Sequence, residues 1–335
     1  MNFLFSFLFA LLGFGNDVVT VTTGTAGNAG STAAELINFM SAQMLDVAEL
    51  NTVLDQFGEK RPLPSNSSKT IQFTRLEKLA VATTPTQLVE GVRPDAQGMT
   101  INQFTATVEQ YGNLYRISEL AELTARHPLI QEAMKRLATW AAETYDQLIF
   151  NVLDAATNNY RPNSKAGDTS LTASDKVAYV DLVELMATLQ DNGGKPFEGG
   201  GYVFACPPQV HASLLQDPDW KASHQFMPDP IYRGEVGFLA NFRVVNTNSP
   251  AFAATAQAGS GQSSKVYSSF AIAKNAYQIS DLQSIEAIPT PPGGSGDELK
   301  QSFKLGVKFS CKSVITNQTW IRRVRAAGLN SVTNP

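Results

Sequence analysis

The chain has 335 residues, 43% of them hydrophobic, which is enough apolar mass for one large or two medium domains and too much for a disordered chain. Its formal charge of −4 and pI near 5.5 give the molecule as a whole no electrostatic pull toward nucleic acid, so a direct DNA-binding role is not expected. The two cysteines, Cys206 and Cys311, are too few for a four-thiolate zinc site. They are expected as buried free thiols, with a disulfide left open.

The amino terminus carries Phe3, Phe5, Phe7 and Phe9 in an apolar run that ends at Phe14. The run imitates the core of a secretory signal, but a signal begins with basic residues and here the first Lys or Arg is Lys60. It is also shorter than the roughly 20 apolar residues that span a bilayer. An apolar arm sheltered on another subunit is therefore expected, with a cleaved signal as the rival. From Asn16 to Ser31 the composition turns to Gly, Thr, Ala and Asn, an extended tether. Thr32 and Glu35 then have capping-box spacing, and Leu36, Met40, Met44 and Val47 recur at helical intervals, so a short amphipathic helix is expected to about Asn51. Residues 1–51 form the expected arm.

Residues 52–69 lead into the body through the breaker cluster Arg61 to Ser68. Thr70 to Leu79 and Ile101 to Ile117 read as strands, and Pro85, Gly91, Pro94 and Gly98 punctuate the stretch between them. The expectation is one long two-stranded hairpin over residues 70–117. Glu77, Lys78, Glu90, Arg93, Asp95, Glu109 and Arg116 dot it with both signs. Because an isolated ribbon is marginal in water, it needs support, either from a neighbouring subunit or by folding back on its own domain.

Pro128 suits the first turn of a helix, and Ile130, Met134, Leu137, Ala141, Tyr145, Leu148 and Val152 carry a helical period to about Ala156, a rod of roughly 40 Å at 1.5 Å per residue. This rod anchors an expected domain at residues 118–171. Over 172–281, a helix at Ser174 to Asp191, a buried strand at Tyr202 to Cys206, a helix from Pro207-Pro208 and a turn at Asp217 to Trp220 precede strands at Phe242 to Val245, Lys265 to Ile272 and Ala276 to Ile279. The alternation indicates an α/β module. Residues 282–335 return to β character at Ser284 to Ile288, Ser302 to Ser310 and Trp320 to Val324, strands expected to share the long helix's domain. The fold class is α+β.

No catalytic, cofactor or metal residue emerges from this pass. His127, His211 and His224 sit in no nucleophile–base motif, and Pro196 stands where a phosphate loop after Gly193-Gly194-Lys195 would need a hydroxyl. No carboxylate–histidine pattern of metal-ligand spacing occurs. Asn66 and Asn317 begin glycosylation sequons that matter only if the chain is secreted. Arg322, Arg323 and Arg325 form the densest basic cluster. They either face nucleic acid or pair with acids of a neighbour, and pairing is preferred because three arginines make few phosphate contacts.

The stretch from Arg61 to Leu120 resembles major capsid proteins of tailed bacteriophages in the N-four-like podovirus capsid family. Pro62-Leu63-Pro64 precedes Lys69-Thr70-Ile71, Ala82-Thr83-Thr84-Pro85 and Glu90-Gly91-Val92 form the turn, and Thr105 to Gly112 is the return strand. Weaker similarity runs through the long helix, Asp217 to Trp220 and Gly234 to Val245, to Ala326; the arm matches nothing.

The resemblance implies the Hong Kong 97 capsid fold: an arm, an extended E-loop at 70–117, a peripheral domain with a spine helix, and an axial domain at 172–281. It implies pentamers and hexamers of this one chain forming an icosahedral head around a double-stranded DNA genome, assembled in the host cytoplasm and resident in the virion. Portal, scaffold and possibly decoration proteins are the further partners, with no cofactor, no membrane and no sequence-specific DNA contact. Candidate inter-subunit residues are Phe3, Phe5, Phe7, Phe9, Glu77, Lys78, Glu90, Arg93, Asp95, Arg322 and Arg323. An encapsulin-type nanocompartment shell is the rival within the fold, and a secreted binding or adhesion protein, suggested by the apolar start and the sequons, is the rival outside it.

Overall fold

The computed structural model describes residues 52–63, 69–77, 87–88, 90–93, 98–125, 129–223, 235–253, 256–258, 264–292, 299 and 301–332, all within a compact unit of residues 40–335. The expected arm, with Phe3, Phe5, Phe7 and Phe9, and the charged positions Lys78 and Asp95 lie outside the described residues.

In chain order the elements are β1 (Glu59–Lys60), β2 (Thr70–Leu76), β3 (Ile101–Thr107), β4 (Glu109–Ser118), α1 (Glu119–Thr124), α2 (Leu129–Asp154), β5 (Asn159–Tyr160), α3 (Tyr179–Asp191), β6 (Tyr202–Cys206), α4 (Pro208–Leu214) and α5 (Pro218–Ser223). They continue as β7 (Glu235–Leu239), β8 (Phe242–Asn246), β9 (Ala256–Ala258), β10 (Ser264–Ile272), β11 (Tyr277–Thr290), β12 (Ser302–Ile315) and β13 (Ile321–Val332). Three sheets result. Four strands run in the order β1-β11-β12-β4, a seven-stranded sheet runs β5-β13-β10-β6-β8-β7 with β9 on β10, and β2 pairs with β3 alone.

The 26-residue α2, about 39 Å long at 1.5 Å per residue, lies on the four-stranded sheet. Met134, Leu137, Ala138, Ala141, Tyr145 and Ile149 share one buried cluster with Leu305, Val307, Phe309 and Cys311 of β12. Small alanines at 138, 141 and 142 let the helix approach the sheet, and the larger residues fill the space on either side. Toward its end Phe150 packs edge-on against Phe252 and Phe270, with centroids 5.0 and 5.3 Å apart, which carries the same core into the seven-stranded sheet. The expected stripe holds through Tyr145. Beyond it, the deeply buried positions are Ile149, Phe150 and Leu153, with Leu148 and Val152 only flanking them. A second core packs Leu182, Leu185 and Leu189 of α3 against Tyr202, Phe204, Val244 and Val324.

Two carboxylates on α2 tie in other segments. Asp146 is fully buried and accepts the backbone N–H groups of Val53 (3.1 Å) and Leu54 (3.3 Å), where a short 3-10 turn begins. The Tyr277 hydroxyl donates to the carbonyl of Leu54, so the entry segment is clamped between helix and sheet. At the helix end, Asp154 accepts from Ser268 (2.8 Å) and pairs with Arg323 (3.3 Å) and Arg325 (3.4 Å). Arg325 also reaches Asp168 (3.6 Å), which pairs with Arg161 at 2.7 Å.

Several expectations change. The strand at 101–117 is two strands: β3 belongs to the ribbon, and after the buried Val108 the chain changes partner so that β4 pairs with β12 from Cys311↔Glu109 to Ser302↔Ser118. The apolar positions 104, 106 and 108 give way to Tyr111 just after the junction, a phase shift that marks a break without naming the new partner. The expected strands at 276–279 and 284–288 are parts of the single β11, with register shifts after Asp281 and Gln283, so a boundary at 281/282 falls inside a strand. β13 pairs with β10 and β5 in the seven-stranded sheet, although Ile321 at its start reaches the α2 cluster. The turn at 217–220 opens α5 instead, and Asp217 accepts the N–H groups of Tyr179 (2.8 Å) and Asp219 (3.0 Å), serving two helix starts at once.

Removing the Asp146 carboxylate by Asp146→Ala leaves two buried donors without their acceptor and is expected to lower the unfolding free energy by about 2–4 kcal/mol in urea titrations of dissociated protein. Burial pushes the thiol of Cys206 well above its ordinary value and that of Cys311 to about 12. Both are therefore expected to ignore an aromatic disulfide reagent at pH 8 until denaturant is added, which a colorimetric thiol count reads directly.

Candidate assembly surface

The β2–β3 ribbon is built from Thr and Gln pairs more than from packing. Thr70 meets Thr107 (3.3 Å) and Gln72 donates to Gln103 (2.7 Å), while Phe73 and Ala106 are buried. Arg75 holds the ribbon to the body by donating to the carbonyl of Thr316 (3.0 Å) and pairing with Glu77. Glu77 also accepts from Asn102 (2.5 Å), so this candidate contact residue is engaged within its own chain. Beyond the paired strands, Leu88 is 73% exposed and Val92 64%, and Leu76, Met99 and Ile101 are exposed as well. Glu90 and Arg93 stand exposed on the turn at Gly91, whose φ of +78° suits glycine. Five large apolar side chains on so thin a ribbon are far more than it can shelter.

A second exposed patch lies on β4 and α1, where Leu114, Tyr115, Leu120 and Leu123 face solvent and α1 buries nothing. Ser118 caps this helix by accepting from the N–H of Ala121 at 3.3 Å. Sequence reasoning passed over these leucines. The signal available was Leu120 and Leu123 at i, i+3 spacing directly after a long strand.

Two of the three carboxy-terminal arginines find acidic partners within the chain. Arg323 donates to Asn159 (2.7 Å) and pairs with Asp154, and Arg325 pairs with Asp154 and Asp168, so their acidic partners lie in the same chain. Burial lowers the pKa of the Arg323 guanidinium from its ordinary value, and Asp154 works against that shift. Arg322 is half-buried on β13 opposite Ala271.

Among the described residues no three His, Cys, Asp or Glu side chains are placed to hold a metal ion, and no helix is long and apolar enough to cross a membrane. His211 is buried edge-on against Trp220, with centroids 5.9 Å apart; His127 and His224 lie outside the described residues.

The profile of the family described as "Phage capsid protein" matches residues 102–298, more than half of the chain. No curated protein sequence matches. Among solved structures, the capsid of cyanophage P-SCSP1u superposes with a TM-score of 0.59 at 15% identity, covering 83% of this chain and 88% of that one. The capsid of Ralstonia phage GP4 gives 0.60 at 14% identity, covering 83% and 89%. A virus-like particle from Pyrococcus furiosus gives 0.51 at 11% identity, covering 87% and 99%. These likenesses establish the Hong Kong 97-type fold, with its mix of helix and sheet. The match over more than half the sequence, joined to a body that leaves an apolar ribbon uncovered, places this chain in the phage capsid protein family, as a major capsid protein that self-assembles into the shell of the virion.

Proposed function

We propose that copies of this chain form pentamers and hexamers that close an icosahedral head around double-stranded DNA, with the ribbon of each copy lying across its neighbour. The observation that carries this reading is the set of exposed apolar side chains at Leu76, Leu88, Val92, Met99 and Ile101 on a two-stranded ribbon. A single chain gains nothing from them in water, whereas burial on a neighbour stabilises at about 25 cal/mol per Å² of apolar surface. The contacts are head-to-tail, and such heterologous interfaces make rings when the rotation closes.

In this reading the module centred on β6, β8 and α3 is axial and turns toward the capsomer centre, and α2 with the four-stranded sheet is peripheral. The apolar arm with Phe3, Phe5, Phe7 and Phe9 ties further copies. Glu77 ties the two strands together at the outer end of their ladder, while Glu90, Arg93, Lys78 and Asp95 set register and partner choice. Arg323 holds the body together through Asp154 and Asn159, and Arg322 on β13 is kept as an inter-subunit contact. The shell acts mechanically, with no enzymatic step, and portal, scaffold and decoration proteins are its further partners during assembly in the host cytoplasm.

A nanocompartment shell is the second reading, favoured by the likeness to the Pyrococcus furiosus particle. Particles purified from the native source discriminate the two: the phage reading expects long DNA inside, the other expects protein cargo. For the ribbon itself, Glu90→Lys and Arg93→Glu introduced singly are expected to cut particle yield or distort particle shape in electron micrographs. Unchanged yield and morphology in both would refute the role given to the ribbon.

A further inference from the structure

The segment that leaves α2 meets α3 through one tyrosine whose hydroxyl faces two carboxylates. β5 begins just after α2 ends, and Tyr160 pairs with Val324 of β13 while its side chain packs against the core around α3. Its hydroxyl lies 2.7 Å from Asp181 Oδ1 and 2.8 Å from Glu184 Oε2, side chains at i, i+3 spacing on α3. A phenol carries one proton and donates it to one oxygen at a time. At these distances the second carboxylate oxygen meets a lone pair of the phenol oxygen, which repels it unless another proton lies between them.

The surroundings add negative charge. Asp181 accepts the N–H of Ala178 on Oδ2 (2.8 Å), and Asp217, from the turn before α5, accepts the N–H groups of Tyr179 (2.8 Å) and Asp219 (3.0 Å). The charged groups that act most strongly on Asp181 are Glu184 and Asp217, both acids. Arg161, next along the chain from Tyr160, and Arg323 and Arg325 of β13 are engaged with Asp154 and Asp168. Burial pushes the Asp181 carboxyl above its ordinary value, and the charges on Glu184 and Asp217 push the same way, against the hydrogen bonds from Ala178 and Tyr160.

We propose that Tyr160, Asp181 and Glu184 form a proton-held latch that fastens the segment leaving α2 to the module of α3, β6 and β8. In the closed form Asp181 Oδ1 carries a proton and donates it to the phenol oxygen, the phenol donates its own proton to Glu184 Oε2, and Asp181 Oδ2 keeps the N–H of Ala178. The extra proton belongs to the pair of carboxylates acting together. When it leaves to water, the phenol serves the half-buried Asp181, and Glu184, exposed on α3, swings away. The folded chain binds this proton more tightly than the unfolded chain does. The latch therefore contributes fully below the ordinary carboxylate range and is lost as pH rises through the raised value.

Amide hydrogen exchange on assembled shells of the full chain, corrected for the intrinsic pH dependence of exchange, reads the latch in peptides covering residues 155–165 and 178–184. Protection there is expected to fall about threefold to tenfold between about pH 4.5 and about pH 7.5, the loss of one hydrogen bond, while that of α2 stays unchanged. Glu184→Gln supplies an amide that donates to the phenol oxygen without an extra proton, so it is expected to keep the acid level of protection at both pH values. Tyr160→Phe removes the bridge and is expected to show the lower level at both. Protection of the unaltered chain that ignores pH, or a pH dependence that survives in either variant, would overturn the latch. Protection that follows added magnesium at fixed pH would overturn it in favour of a bound cation.

Discussion

The body of this protein depends on the burial of one long helix against one sheet. α2 lies across β11, β12 and β4, and its interior stripe is continuous with the aromatic packing of Phe150, Phe252 and Phe270 in the neighbouring sheet. The two carboxylates on that helix convert a packing contact into a joint. Asp146 fixes where the chain enters the body, and Asp154 gathers Ser268, Arg323 and Arg325 from strands at the far end. Side chains 8–25% exposed lose less to solvent screening than surface pairs do, so this network has the geometry to matter. A rod pinned at two points in its carboxy-terminal half suits a subunit that must carry load within a shell.

Against that rigid body, the ribbon stands out as a different kind of structure. Its strands share hydrogen bonds and small polar pairs, Arg75 near the outer end of the ladder ties it to the carbonyl of Thr316, and it presents apolar side chains to solvent there and beyond. At the opposite end of β12, Arg116 and Lys304 stand directly opposed beside the exposed Leu114 and Ile288. One chain thus carries an unsatisfied projection and an unsatisfied face at separate ends. Repetition of the chain is the arrangement that satisfies both, and heterologous contacts of this sort propagate into rings.

Much of this was legible before the structure. The helical period over 130–145, the buried strand at 202–206 and the exposed charges at Glu90 and Arg93 follow from local pattern and composition, which the chain obeys. What pattern could not show is partner identity. The apolar phase shifts between Val108 and Tyr111, but that shift does not tell that the chain leaves β2 for β12. β13 carries the same β signal whichever sheet it joins. The helix stripe drifts after Tyr145 because Phe252 and Phe270, distant in sequence, decide which side of α2 is covered there. Arg323 was expected to pair with acids of a neighbour because its partner in the same chain, Asp154, lies 169 positions away. Leu114 is exposed in a strand whose apolar phase had already shifted, and Leu120 with Leu123 offered a single i, i+3 pair, too short a stretch to show a period.

Only a sister copy completes the ribbon. Amide hydrogen exchange over residues 70–77 and 98–107, compared between dissociated subunits and assembled shells, tests it most directly. The account predicts that these amides exchange rapidly in the free subunit, while those of α2 stay protected, and that the ribbon becomes protected on assembly. Equal and strong protection of the ribbon in the free subunit, unchanged by assembly, would contradict it.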